Sequence, residues 1–350
     1  MNSFQIGQQT VGDGSEGCFI IAELSANHNN DLELAKRTIQ AMADSGADAV
    51  KLQTYTPDSM TLDCDGELFM ARNGTLWEGR RLHEIYAEGA LPMEWHAELK
   101  VTAENCGLQM FSSPFDQEGV DFLEELGVPA YKIASLEITD IPLIRHVARK
   151  GRPVIFSTGI AELADIDLAV RTCRAEGNEQ IGLLRCTSAY PTPLSEVNLA
   201  TIPGLRESFG VVVGLSDHTE GSVVPVAAVA LGASIIEKHF VLDRAAGGLD
   251  ASFSMMPDEF GAMVKAVREA EAALGEPSYK VSEKMAAARR SARSILVTRP
   301  IKKGEVFSGE NLRVLRPGAG LHPKHLDAVL GRVAATDLAF GTPLFWESVV

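Results

Sequence analysis

Short apolar, β-branched runs recur along the chain from residue 18 onward, and each gives way to a polar tip and then to a stretch with helical periodicity. The runs read CFIIAELS, DAVKLQTY, LQMFSSPF, AYKIASLE, PVIFSTG, IGLLRCTS, VVVGLSDH and SIIEKHF. They are spaced roughly 20 to 30 residues apart, with one wider gap of about 60 between the second and third, which suits strand–helix units joined by short loops. The connector NDLELAKRTIQAMADSG sets Leu32, Ala35, Ile39 and Met42 on one helical face, with Asp31 able to cap its start and Gly46 its end. Eight such units predict an α/β protein built as a (β/α)8 TIM barrel. A doubly wound open sheet is the competing architecture, but it rarely supplies eight units this regular.

Two departures from the repeat matter. The long insert at residues 56–91 leaves the top of the second strand, where loops form the active-site rim in a barrel of this kind. After the helical PDEFGAMVKAVREAEAALG the pattern changes, through the basic, alanine-rich EKMAAARRSARS, to short strands punctuated by KKGE and FGTP turns. The expected division is a barrel over 1–280, a linker over 281–292 and a small β-rich domain over 293–350.

In a barrel, catalytic groups sit at the C-terminal strand ends, so what each run ends on is informative. In order these are Glu23 with Asn27 and His28, Lys51 with Gln53, Ser112 and Ser113 ahead of Phe115, Lys132 with Ser135 and Glu137, Ser157 with Thr158, Thr187 with Ser188 and Tyr190, Ser216 with Asp217 and His218, and Glu237 with Lys238 and His239. Polar strand ends also occur in barrels without activity, because loops are solvated. Lys51 and Lys132, however, lie inside strand-like runs where an unpaired ammonium is costly. Either they meet an anionic ligand with the hydroxyls of Ser113, Ser135, Ser157 and Ser216, or they pair with Glu23 or Glu137. His218 and His239 end neighbouring strands and can aim two imidazoles at one point, with Glu23 next in the ring. Two nitrogens with the remaining positions left to carboxylate, water or substrate oxygen suit a divalent ion such as Mn(II), with Mg(II) or Co(II) as alternatives.

Composition narrows the class. The net charge of −15, with no basic run to offset it, argues against nucleic acid as a partner. The five cysteines are odd in number and form no CxxC pair, which fits free thiols in a reducing cytosol. No signal-peptide pattern or bilayer-length apolar stretch is present, so the expectation is a cytoplasmic protein without a membrane partner.

IAELSANHNNDLELAK, GADAVKLQTYTPDSM, YKIASLEITD, STG, CTSAYPTP, GLSDHTEG, ALGASIIEKHF and RPGAGLHPKH resemble the sialic acid synthase family, collinearly and over nearly the whole chain. Within that family, LQTYTPDSMTL, LWEGRRLHEIYAEGALPMEWH and RPGAGLHPKH are most similar to the branch that makes pseudaminic acid. The resemblance implies a metal-dependent barrel followed by an antifreeze-like (SAF) domain that covers the partner's site in a domain-swapped homodimer. It implies condensation of phosphoenolpyruvate with an N-acetylated 6-deoxy sugar. By motif, Lys51, Ser113, Lys132, Ser135, Ser157 and Ser216 would hold phosphoenolpyruvate, and His218 and His239 the metal. Glu23, Gln53, Tyr190 and Asp250 would line the sugar and reacting centre, with Glu137 beside the developing charge. Asn73 in the insert and Phe115 would contact substrate, and Arg316 would reach an acetamido group in the neighbouring subunit. The family's neuraminate enzymes commonly show CTNIYPTP where this chain has CTSAYPTP, which sets Ser188 at the position of a longer asparagine. Within the family the alternative is an N-acetylneuraminate or legionaminate synthase. Remoter rivals are a Schiff-base pyruvate aldolase using Lys132 or Lys51, which would leave the two histidines unused, and a non-catalytic sugar-binding barrel.

Overall fold

In a computed structural model, the described residues are 2–71, 77–187 and 192–350, and they form two compact units, 1–275 and 276–350. The first unit opens with an antiparallel hairpin, β1 (Ser3–Ile6) and β2 (Gln9–Gly12). Eight parallel strands follow: β3 (Phe19–Glu23), β4 (Ala49–Thr54), β5 (Gln109–Pro114), β6 (Tyr131–Ile133), β7 (Val154–Ser157), β8 (Ile181–Cys186), β9 (Val212–Asp217) and β10 (Ile235–His239). They close on themselves in sequence order, with β10 pairing back to β3. All eight coincide with the apolar runs of the sequence, and a closed (β/α)8 barrel is the fold.

The strands form here because both of their faces are covered. Ile20, Ile21, Val50, Leu52, Ile155, Phe156, Leu183 and Leu184 are fully buried, and burying each such side chain contributes roughly 1.5–3 kcal/mol. The first connecting helix, Leu32–Asp44, is capped by Asp31, which accepts from the Leu34 amide, and buries Ala35, Ile39 and Met42. Gly46 follows at φ +88°, a conformation that favours glycine. The hairpin was not anticipated; it buries Phe4, Ile6 and Val11 in the barrel core, against the N-terminal ends of β8 and β9.

One glycine sets the approach of the two strands that carry the histidines. Gly214 on β9 lies opposite Ile235 on β10, and a Cβ there would stand 2.4 Å from the Ile235 carbonyl oxygen. The close pairing at that level fixes Ser216 opposite Glu237 one layer above.

The insert after β4 carries helices at Pro57–Met60 and Leu82–Gly89. The barrel's last helix runs over Pro257–Leu274. In the second unit, residues read as a linker include a helix at Glu283–Arg289. Strand β11 (Ser294–Val297) pairs antiparallel with β12 (Leu312–Leu315), and isolated bridges such as Ile301–Leu338 and Val306–Val333 extend the β character. Ile295, Val297, Ile301, Phe307, Leu312 and Leu344 make its own small core. Among the described residues no helix is long and apolar enough to cross a membrane.

Candidate active site

Strand register brings the predicted groups to one end of the barrel. Glu23 sits opposite Lys51 on one side and His239 on the other, and Gln53 sits opposite Ser113. Period-two alternation then decides which groups share a face. Glu237 and His239 turn inward with Glu23 and Lys51. Lys238, between them in sequence, takes the opposite face and is held in a buried pair with Asp217 at 2.7 Å and by the Thr219 carbonyl at 2.5 Å. Asn27 and His28, beyond β3, are spent on structure. Asn27 donates to the Phe240 carbonyl and Ser254, and His28 contacts the Gly89 carbonyl at 3.2 Å and accepts from the Asn30 amide.

The lysines are paired, and their shared partner is one that sequence reasoning passed over. Lys51 Nζ lies 2.9 Å from Glu23 Oε2 and 2.8 Å from Glu237 Oε1. Lys132 Nζ is 3.6 Å from the same Glu237 oxygen, donates to Ser157 Oγ at 2.7 Å and reaches the Ile133 carbonyl at 3.1 Å. Ser216 Oγ donates to Glu237 as well, at 3.1 Å. Glu137, one of the two carboxylates expected to pair with a lysine, forms no ion pair with either among the described residues. Glu237 was legible only as a polar strand end, because nothing in the sequence shows that its side chain, on β10 between β3 and β9, reaches across the barrel mouth to lysines on β4 and β6.

These contacts set the charge states. Burial works against the ammonium of Lys51, yet Glu23 and Glu237 overcome it and raise its pKa to about 12. Lys132 is lowered, because burial dominates and the attraction of Glu237 offsets it only in part. Burial alone would raise the Glu23 carboxyl. The fields of His239 and Lys51, with hydrogen bonds from Lys51 and Gln53, outweigh it and hold the group well below the usual carboxylate range. Glu137 is raised by burial, which a backbone hydrogen bond and the attraction of Lys132 offset only in part.

The two imidazoles face each other with ring centroids 5.1 Å apart, and Phe253 packs edge-on against both. Burial, reinforced by His239, pushes the His218 pKa well below its ordinary value, so the ring is neutral, as a metal ligand must be. His218 Nδ1 lies 3.1 Å from the Thr187 carbonyl, an arrangement that leaves Nε2 as the nitrogen with the lone pair. His239 Nε2 is 3.3 Å from Glu23 Oε2, while its Nδ1 is buried without a hydrogen-bond partner among the described residues. An orphaned ring nitrogen beside a neutral imidazole and an ionised carboxylate fits a divalent cation. Among the described residues no group of three or more His, Cys, Asp or Glu side chains is placed to hold a metal ion.

Other orphaned atoms gather at the same end. Among the described residues, Ser113 Oγ, Glu137 Oε2 and Glu237 Oε2 are buried without hydrogen-bond partners, a costly state that a polar ligand would relieve. Ser135 Oγ accepts from the Ile160 amide at 3.1 Å, and Phe115 stands edge-on to Tyr55 with centroids 5.3 Å apart. Asp250 lies beyond β10, with Oδ2 4.0 Å from His239 Nδ1 and hydrogen-bonded by Ser25. Asn73, Ser188 and Tyr190 lie outside the described residues. Arg316 is exposed in the second unit, directly after β12.

A family model described as the NeuB family matches residues 38–279, and one for the SAF domain matches residues 292–350. The chain belongs to the NeuB family. The NeuB barrel and its SAF domain together account for nearly the whole sequence. This NeuB protein is 48% identical over 326 residues to a pseudaminic acid synthase of Campylobacter jejuni, covering 93% of this chain and 95% of the relative. It is 47% identical over 331 residues to one of Helicobacter pylori, covering 94% and 97%. An N,N'-diacetyllegionaminic acid synthase of Legionella pneumophila is 39% identical over 337 residues, covering 95% and 94%. The crystal structure of the spore coat polysaccharide biosynthesis protein SpsE of Bacillus subtilis aligns with a TM-score of 0.68 and 37% identity, covering 99% of both chains.

Proposed function

We propose that the protein is a pseudaminic acid synthase, condensing phosphoenolpyruvate with 2,4-diacetamido-2,4,6-trideoxy-altrose and water to give pseudaminic acid and phosphate. The observation that carries this reading is full-length similarity of 47–48% to two pseudaminic acid synthases, against 39% for the legionaminic acid synthase. The site supports the chemistry. Lys51 and Lys132 converge with Ser113, Ser157 and Ser216, a set suited to an anion that brings its own charge. Lys51 directs its ammonium at two carboxylates, and with three N–H groups it retains one for phosphate.

The bond changes follow from these positions. Carbon 3 of the enol attacks the aldehyde carbon of the open-chain sugar, and the aldehyde oxygen becomes a hydroxyl with a proton from solvent water, which is returned to solvent when Glu137 later re-ionises. Carbon 2 is left with oxocarbenium character, which the ionised Glu23 stabilises. Water adds at carbon 2 and gives its proton to Glu137, whose raised pKa suits proton acceptance nearer neutrality. The tetrahedral centre loses phosphate by cleavage between carbon 2 and the bridging oxygen. The proton of its new hydroxyl departs with the phosphate and leaves the keto acid, and Lys51 and Lys132 receive the charge of the leaving group.

His218 and His239 are the residues assigned to a divalent cation, Mn(II) by preference. Bound there, it supplies Lewis acidity toward a carbonyl oxygen. Arg316 is assigned to an acetamido group in the neighbouring subunit of a domain-swapped homodimer, and a barrel truncated after about residue 285 should then be inactive. The functional test supplies phosphoenolpyruvate with each of three acceptors, the 2,4-diacetamido-altrose, its legionaminate-type analogue and N-acetylmannosamine. Preference for the first by 100-fold or more in kcat/KM is expected, and product only from another acceptor would overturn the substrate.

A further inference from the structure

Ser25 is the first residue to leave β3 after Leu24, and three features set it apart. It is 4% exposed, it has a hydroxyl between two site residues, and its backbone is left-handed at φ +49°. A non-glycine residue at positive φ is costly and persists only where its surroundings enforce it. What the side chain does there is specific. Gln53 Nε2 donates to Ser25 Oγ at 3.2 Å, and Ser25 Oγ donates to Asp250 Oδ2. The other Gln53 N–H goes to Glu23 Oε1 at 2.9 Å. Asp250 in turn faces His239 Nδ1, and His239 Nε2 faces Glu23 Oε2.

These contacts make a closed ring through Glu23, Gln53, Ser25, Asp250 and His239. Ser25 bridges Gln53 on β4 to Asp250 in the loop after β10 by hydrogen bonds to both. A hydroxyl has a single proton, so donation to the carboxylate leaves a lone pair for the amide and the direction of the chain is fixed. Both N–H groups of Gln53 are spent within the ring, and its carbonyl oxygen keeps no hydrogen bond among the described residues. The Asp250 carboxylate has no other hydrogen-bond donor among the described residues. A carboxylate on a loop with a single tether takes its orientation from that tether.

We infer that Ser25 is a positioning residue for the sugar acceptor. Its hydroxyl holds Asp250 and the carbonyl end of Gln53 in the orientation that receives the acetamido sugar, at the cost of a strained backbone. The inference rests on the sugar-condensing reading above.

Ser25→Gly separates this role from a structural one, because glycine adopts the left-handed backbone freely. Strain relief should leave the thermal midpoint equal to or above that of the wild type. The loss of the hydroxyl should nonetheless lower kcat/KM for the sugar by about 10- to 100-fold, with KM for phosphoenolpyruvate within about twofold. Ser25→Ala, which keeps the strain, should show the same kinetic loss at lower stability. The double variant Ser25→Gly with Asp250→Asn should lose no more than about threefold beyond Asp250→Asn alone. Parameters are read with whichever acceptor the wild-type protein turns over. A wild type inactive on every acetamido sugar would remove the functional reading itself. An active wild type matched within twofold by Ser25→Gly, or losses that multiply fully in the double variant, would overturn the role of Ser25.

Discussion

Glu237 Oε1 lies 2.8 Å from the Lys51 ammonium, on a strand that closes the barrel far from Lys51 in sequence. The same oxygen is 3.6 Å from Lys132, so one carboxylate holds two buried cations at the mouth where a phosphorylated substrate would arrive. With Glu23 2.9 Å from Lys51 as well, two carboxylates face the two lysines before a ligand binds, and an incoming phosphate would compete with Glu237 for both lysines.

Glu237→Gln should unbalance that cluster. Removing one partner of a buried ion pair costs about 3 kcal/mol or more, measurable by urea unfolding. Phosphate or phosphoenolpyruvate should restore more stability to this variant than to the wild type, because it supplies the missing negative charge. Equal stabilisation of both proteins would show that the anion binds elsewhere. The Lys51 pKa is raised to about 12, so the stability it contributes is fully present below the unfolded lysine value of about 10.4 and is lost as pH rises toward 12. Unfolding free energies between pH 7 and 9 should therefore carry its full contribution and show no pH dependence from it.

Glu137 makes the opposite case. Its pKa is raised by burial, so the folded state binds its proton more tightly than the unfolded chain does. Stability from this group falls as pH rises from the unfolded carboxyl value through the folded one. Glu137→Gln should thus be at least as stable as the wild type at pH 7, while turnover falls by 100-fold or more and the acidic limb of the kcat/KM profile disappears. An unchanged acidic limb would remove Glu137 as the proton acceptor.

The imidazole pair predicts metal dependence with two separable readouts. Treatment with a chelator should abolish turnover, and Mn(II) should restore it. By calorimetry, His218→Ala and His239→Ala should each bind Mn(II) at least about 100-fold more weakly while keeping the wild-type far-ultraviolet circular dichroism. Wild-type Mn(II) affinity in either variant would make the pair structural.

The barrel was legible because strands covered on both faces read as near-continuous apolar runs, and helix periodicity between them is unambiguous. The hairpin β1–β2 escaped notice because four-residue strands with exposed positions, SFQI and QTVG, carry little signal. The candidate site residues Glu23, Lys51, Lys132, His218 and His239 were visible as polar groups on which apolar runs end. Glu23 was legible as a possible lysine partner, and Lys51 does meet it; Glu237 was not, because that pairing depends on ring closure. Glu237 meets Lys51 only once β10 docks on β3, and the role of Ser25 depends on a backbone angle that no pattern of side chains reveals.

The most direct measurement uses phosphoenolpyruvate labelled with oxygen-18 at the bridging oxygen, together with the 2,4-diacetamido-altrose and Mn(II), and follows both products by mass spectrometry. Condensation through attack by carbon 3 and loss of phosphate from carbon 2 predicts that the label leaves entirely in phosphate, and that product is absent when a chelator replaces the metal. Label retained in the sugar acid, or equal turnover with and without metal, would contradict it.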